Sequence, residues 1–177
     1  LDEAASTFGT LALTGANVAV TDAGATDLGA STVSGTLGIT SAGAVTDSGT
    51  LAITGATTIS ASGQDITLDE AASTFGTLAL TGANVAVTDA GATDLGASTI
   101  SGTLGITSAG AVTDSGTLAI TGATTISASG QDITLDEAAS TFGTLALTGA
   151  NVALTDAGAT DLGASTVSGT LGITSGG

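Results

Sequence analysis

A 67-residue block recurs almost letter for letter in this chain, beginning at Leu1, Leu68 and Leu135 and each time opening LDEAASTFGTLALTGANVA. The first two copies differ only at Val33 versus Ile100. The partial third adds Leu154 against Val20 and Val87, and Gly176 against Ala42 and Ala109. Identity at a fixed period means that each block meets the next through the same surfaces, so the expected architecture is a stack of units. A unique active-site pocket does not arise naturally from such a plan. The expected organisation is one continuous segment over residues 1–177, with sequence repeats at 1–67, 68–134 and 135–177. Because the text starts and stops in mid-repeat, it reads as a segment of a longer repeat protein.

Within each block the phrase Thr-Leu-(Ala/Gly)-(Leu/Ile)-Thr returns at 10–14, 36–40 and 50–54. Apolar residues at every second position mark strands, with Leu11 and Leu13, Leu37 and Ile39, and Leu51 and Ile53 on one side and Thr on the other. Asn17 to Asp22, Thr57 to Ser62 and the Ile66/Leu68 pair alternate in the same way. Between them lie Gly, Ser, Asn and Asp, as in Thr14-Gly15-Ala16-Asn17 and Asp47-Ser48-Gly49, where Gly would supply positive φ at tight corners. No segment carries a 3.6-residue apolar period with caps, so no helix is expected.

The phrases lie 26, 14 and 27 residues apart, a mean of about 22. That mean suits one turn of a three-sided parallel β-helix, an all-β β-solenoid with about three coils per block and about eight in total. An antiparallel sandwich would need hairpins and a closed strand count, for which an open-ended repeat gives no reason. The composition agrees with the solenoid. Apolar residues make up 42% of the chain but include three Phe and no Trp, Tyr or Met, so the core must be thin and aliphatic.

These phrases resemble the repeat regions of filamentous haemagglutinin-like proteins, large bacterial exoproteins and adhesins exported by two-partner secretion. The carrying residues are Gly49-Thr-Leu-Ala-Ile-Thr-Gly-Ala-Thr-Thr-Ile-Ser-Ala61, Asp65-Ile-Thr-Leu-Asp69, Leu80-Thr-Gly-Ala-Asn-Val-Ala-Val-Thr-Asp89 and Gly96-Ala-Ser-Thr-Ile-Ser-Gly-Thr-Leu-Gly-Ile-Thr107. The resemblance spans the chain. It implies a right-handed parallel β-helix, an extracellular or cell-surface location, and a structural part in cell adhesion.

Charge narrows the functions. The formal net charge is −16, with no Lys, Arg or His anywhere. Neutralising phosphates takes Lys or Arg, so nucleic acid is not an expected partner, nor is an anionic membrane surface. No apolar run reaches the ~18 residues of a membrane-spanning helix, and no signal peptide opens the chain. Without His or Cys, nucleophilic catalysis has no base or thiol. The adjacent pair Asp2 and Glu3 recurs as Asp69/Glu70 and Asp136/Glu137, which suits a loop better than a glycosidase site, and no enzyme is expected.

The leading expectation is therefore a rigid spacer: a stalk or filament segment of a secreted adhesin or biofilm-matrix fibre. Lacking Lys and Arg, it offers trypsin-type proteases no site; lacking Cys, it has no redox lability. Uncapped solenoid ends leave open strand edges, so self-association end to end or laterally is the expected partnership. Polysaccharide or cell-surface partners would be met by regions outside this segment. An alternative places a surface array on Thr10, Thr14, Thr36, Thr40, Thr50 and Thr54, stacked into a flat Thr/Ala face for lateral packing, carbohydrate or ice; the simpler account is that Thr favours strands. A second alternative is calcium. Asp22 and Asp47 occupy matching places in Val-Thr-Asp-(Ala/Ser)-Gly and would stack at one corner with Asp27 close by, as would Asp89, Asp114 and Asp94 in the next block. The third matching position holds Ala61 or Ser62, so a solvated acidic corner is the plainer reading, and no cofactor is expected.

Overall fold

A computed structural model describes all of residues 1–177. It contains 24 short strands and no helix. The alternating phrases become strands, and the strands stack in parallel rather than folding back as hairpins. Val18–Asp22 lies on Leu37–Ser41, which lies on Thr57–Ser60, with Val20, Ile39 and Ile59 in register. Parallel neighbours need a long return path, and here that path is the rest of the coil.

Two long sheets of ten and eleven strands face each other, and a three-stranded sheet lies between them along part of one side. Each long sheet passes through nine strands in stacking order. The molecule is therefore a β-solenoid of about nine turns of about 19 residues, one turn more than the eight expected. Inward Leu, Ile and Val form one core cluster of 34 buried residues between the sheets. Along the first sheet the inward ladder runs Leu68, Val87, Ile106, Ile126, Leu147. Along the second it runs Val20, Ile39, Ile59, Leu80.

Those two ladders are the same text on opposite sides, and this is the main departure from expectation. Successive inward residues Leu11, Val20, Leu28, Ile39, Asp47, Ile59 and Leu68 alternate between the first and second sheets, so the next, Leu78, falls on the second sheet although its copy Leu11 is on the first. Register shows this directly. Thr10 pairs with Asp27 in the first sheet, Thr77 with Asp94 in the second, and Thr144 with Asp161 in the first again. One block is thus seven half-coils, or 3.5 coils rather than three. The Thr-Leu-x-x-Thr phrases misled the count because they occupy three different stations: residues 10–11 in the first sheet, 37–41 in the second, and 51–53 in the third.

Backbone hydrogen bonds join the coils through the corners as well as the strands; Gly35 N–H donates to Ala16 O, and Gly55 N–H to Gly35 O. That close nesting, rather than positive φ, is what most corner glycines serve. Only Gly63 and Gly130 have positive φ, at 75° and 77°. At Gly55, by contrast, a Cβ would sit 2.6 Å from Gly35 O, and at Gly76 it would meet the carbonyls of Thr54 and Gly55. Corners of adjacent coils simply lie too close for a side chain.

Among the buried polar side chains, two stand at apolar stations of the core without a partner. Thr57 is inward between Leu37 and Leu78, and Thr124 between Leu104 and Leu145. Both hydroxyls are buried with no hydrogen-bond partner. At the last coil, Leu162, Leu171 and Ile173 are exposed, since no further coil covers the rungs they occupy.

Candidate functional site: low-relief faces and acidic edges

Outside the core, the two long sheets present rows of small side chains. On the second sheet Thr21, Thr40, Ser60, Thr81 and Thr99 stack rung on rung. The same row, one block later, stands on the first sheet as Thr88, Thr107, Ser127, Thr148 and Thr166. Beside it run Thr46, Thr67, Ala86, Gly105 and Thr125. No outward residue in these rows is larger than Thr, so both faces have low relief.

The expected array of Thr10, Thr14, Thr36, Thr40, Thr50 and Thr54 is not one surface. All six are exposed, but they are scattered. Thr10 belongs to the first sheet and Thr40 to the second, with Thr36 just ahead of its strand; Thr14 lies in the third sheet, and Thr50 and Thr54 flank a strand of it. Only Thr40 joins the long hydroxyl row, while Thr14 stacks on Thr32 and then Ala52. The reason is again the half-coil, which moves each recurrence of the phrase to another side.

The carboxylates separate in the same way. Asp22 ends a strand of the second sheet opposite Ser41, and Asp47 ends a strand of the first opposite Leu28, so the corner they were expected to share does not exist. Asp89 and Asp114 are likewise on opposite sheets, first and second. Asp22 is buried and turns back on its own chain, accepting from Gly24 N–H at 2.8 Å and from Thr26 Oγ1 at 3.2 Å. Asp89 repeats this with Gly91 and Thr93, and burial pushes its carboxyl above the ordinary value, against the opposing pull of those hydrogen bonds.

Asp27 is outward on the first sheet. It accepts from Thr10 Oγ1 at 2.6 Å and Ser48 Oγ at 2.8 Å, bonds to the coils on either side that hold its carboxyl below the ordinary value. Asp94 takes the equivalent place on the second sheet, accepting from Thr77 and Ser115, each at 2.8 Å. Asp47 does something the sequence did not suggest. Its two oxygens accept the backbone N–H groups of Asp69 and Glu70 on the next coil, at 2.9 and 3.4 Å, and so pin the LDEAAS loop. Asp114 does the same for Asp136 and Glu137. Burial first, and then the neighbouring carboxylates, push both Asp47 and Asp114 above the ordinary value.

Two further polar devices join the coils. Asn84 Oδ1 accepts from Thr103 N–H and Oγ1, both at 3.1 Å, while its Nδ2 donates to Asp65 at 2.9 Å, tying three coils at one corner. Ser73, fully buried, accepts from Leu51 N–H at 2.9 Å. Their signal in the sequence is a spacing of 19 or 22 residues between a short polar side chain and its partner, legible only once the coil length is given. No three acidic side chains come together in a way that could hold a metal ion. No cleft opens on the surface.

What remains is an arrangement built for continuity: hydroxyl rows on the faces, carboxylates that staple one coil to the next, and glycines that let corners nest. No curated protein and no solved structure matches the chain. A family model described as repeats of unknown function (DUF5649) matches residues 15–81, 82–148 and 149–177. The family's own unit, at residues 15–81 and 82–148, is again 67 residues and hence seven half-coils, and the chain, matched over nearly all its length, belongs to this family of repeats.

Proposed function

We propose that this repeat β-solenoid is a rod segment of a secreted or cell-surface protein, acting as a stiff spacer in an adhesin stalk or matrix fibre. The observation that carries the reading is the unbroken stack. Every coil is joined to its neighbours by in-register strands on both long sheets, with staples such as Asp47 and Asn84 added at the edges. Length in such a rod is set by the number of blocks, because each added block meets the stack through contacts already present. At ~4.8 Å per coil, a block of 3.5 coils adds about 17 Å, and nine coils span about 43 Å. The lack of Lys and Arg removes trypsin-type cleavage sites, and the lack of Cys removes redox lability; both favour an extracellular setting, as does the resemblance to filamentous haemagglutinin-like repeats.

Electron microscopy of chains carrying increasing numbers of blocks tests the reading. Thin rods of constant width that lengthen by about 17 Å per block, with antibody labelling of intact cells, support it. Compact particles, or a product confined to the cell interior, contradict it.

A further inference from the structure

The charge of this chain lies almost entirely off its faces. Of the 16 carboxylates, only Asp27, Asp94 and Asp161 are outward on the long sheets. Each of these is bound by hydroxyls of adjacent coils: Thr10 and Ser48, Thr77 and Ser115, and Thr144. The rest sit in corners and loops or turn inward. Since a block is seven half-coils, Asp27 and Asp161 share one face and Asp94 has the other. Each face therefore meets one such charge per seven coils, about 34 Å.

We propose that both long faces are docking surfaces for second copies of this chain, laid side by side. The proposal rests on the rod reading above. Strands of the long sheets run from two to six residues, as in Thr10–Leu11, Thr26–Leu28, Val85–Asp89 and Thr144–Gly149, so a face averages about 13 Å by about 43 Å, or about 560 Å². A stable interface takes about 800 Å² from each partner. One such chain reaches about two thirds of that, and a rod with more blocks exceeds it. The faces lack the long charged side chains that would have to be desolvated or held apart, and they are low enough in relief for close approach. Because block 1 places its row on the second sheet and block 2 places the same row on the first, the two faces are copies related by half a turn and 3.5 coils. A rod docked through one face still offers the other. Lateral association is thus open-ended and yields layers rather than closed pairs.

Small-angle scattering on the 177-residue chain separates the outcomes, since axial length and mass per unit length are read independently. In low salt the net charge keeps rods single. In about 0.5 M NaCl, where the screening length falls to roughly 4 Å, mass per unit length should rise threefold or more. Charging both faces at one repeat position, with Thr40→Asp, Thr107→Asp and Thr174→Asp together, should return it to the single-rod value. Thr107→Asp alone charges only the first face and should halt growth at a twofold rise. Circular dichroism melts check that each variant keeps its fold; Asp27 already occupies an outward first-sheet position. Single rods at high salt, or a triple variant that bundles like the parent, overturn lateral docking while leaving the rod intact. Compact particles overturn the rod reading itself.

Discussion

Three residue types carry the fold at the level of single side chains. Glycine at the stacked corners is needed for space: Gly55→Ala places a methyl 2.6 Å from Gly35 O, whereas Gly38→Ala on the open second-sheet face meets nothing nearer than Val18 O at 3.9 Å. Denaturant unfolding should show the first variant destabilised by at least ~1 kcal/mol and the second near neutral. Threonine at 57 and 124 is the reverse case, an apolar station occupied by an unpartnered hydroxyl. Thr57→Val keeps the shape and removes the desolvated oxygen, so it should stabilise by ~1 kcal/mol, and no gain would mean the hydroxyl is paired. Asp47, Asp89 and Asp114 push the pH response in one direction. With its folded pKa raised above 3.8, Asp89 binds its proton more tightly in the folded state, so its contribution is largest below that value and is lost as pH rises through the folded pKa. Asp47 and Asp114 act in the same direction. Asp27, held low, contributes above 3.8 and loses that as pH falls through its folded pKa. Replacing Asp89 with Asn should therefore flatten the rise in melting temperature expected on moving from neutral pH toward 4.

The element that matters is the half-coil, eight to twelve residues running from one long sheet to the other, and its joints are specific. Asp114→Ala leaves Asp136 N–H and Glu137 N–H without acceptors, so hydrogen exchange at those two amides should speed up before any change in the strands. Asp114→Asn keeps one acceptor and should be intermediate. The strands were legible because alternation is a property of a few neighbouring residues: Leu37 and Ile39, and Leu51 and Ile53, are buried as their phrases require. The coil was not legible, because its length is a relation between phrases, and unequal arcs hide it. Thr-Leu-x-x-Thr looks like one station repeated, yet residues 10, 36 and 50 stand at three places around the axis. The candidate sites depend on the same relation. Asp22 and Asp47 match in text, as do Thr10, Thr36 and Thr50, whereas position around the axis depends on how many half-coils lie between them. Staples such as Asp47 to Asp69 needed the coil length before they could be read.

For the whole molecule, the consequences follow from an odd number of half-coils and a charge of one sign. With no base other than the amino terminus, acidification breaks no salt bridges and relieves repulsion among 16 carboxylates. Melting followed from pH 7 to pH 4 should show a rise in stability, in contrast to ordinary acid unfolding, and a fall would mean that staples of the Asp27 kind dominate. An odd half-coil count also means that gain or loss of one block turns everything beyond it by half a turn, while two blocks restore the facing. Nitroxide labels at Thr40→Cys and Thr107→Cys, the same repeat position one block apart, measure this directly by electron spin resonance. Seven half-coils put the labels on opposite sheets and pointing away from each other, more than about 20 Å apart given 17 Å along the axis and about 10 Å between sheets. A separation near 14 Å, the rise of three whole coils on one face, would contradict the half-turn.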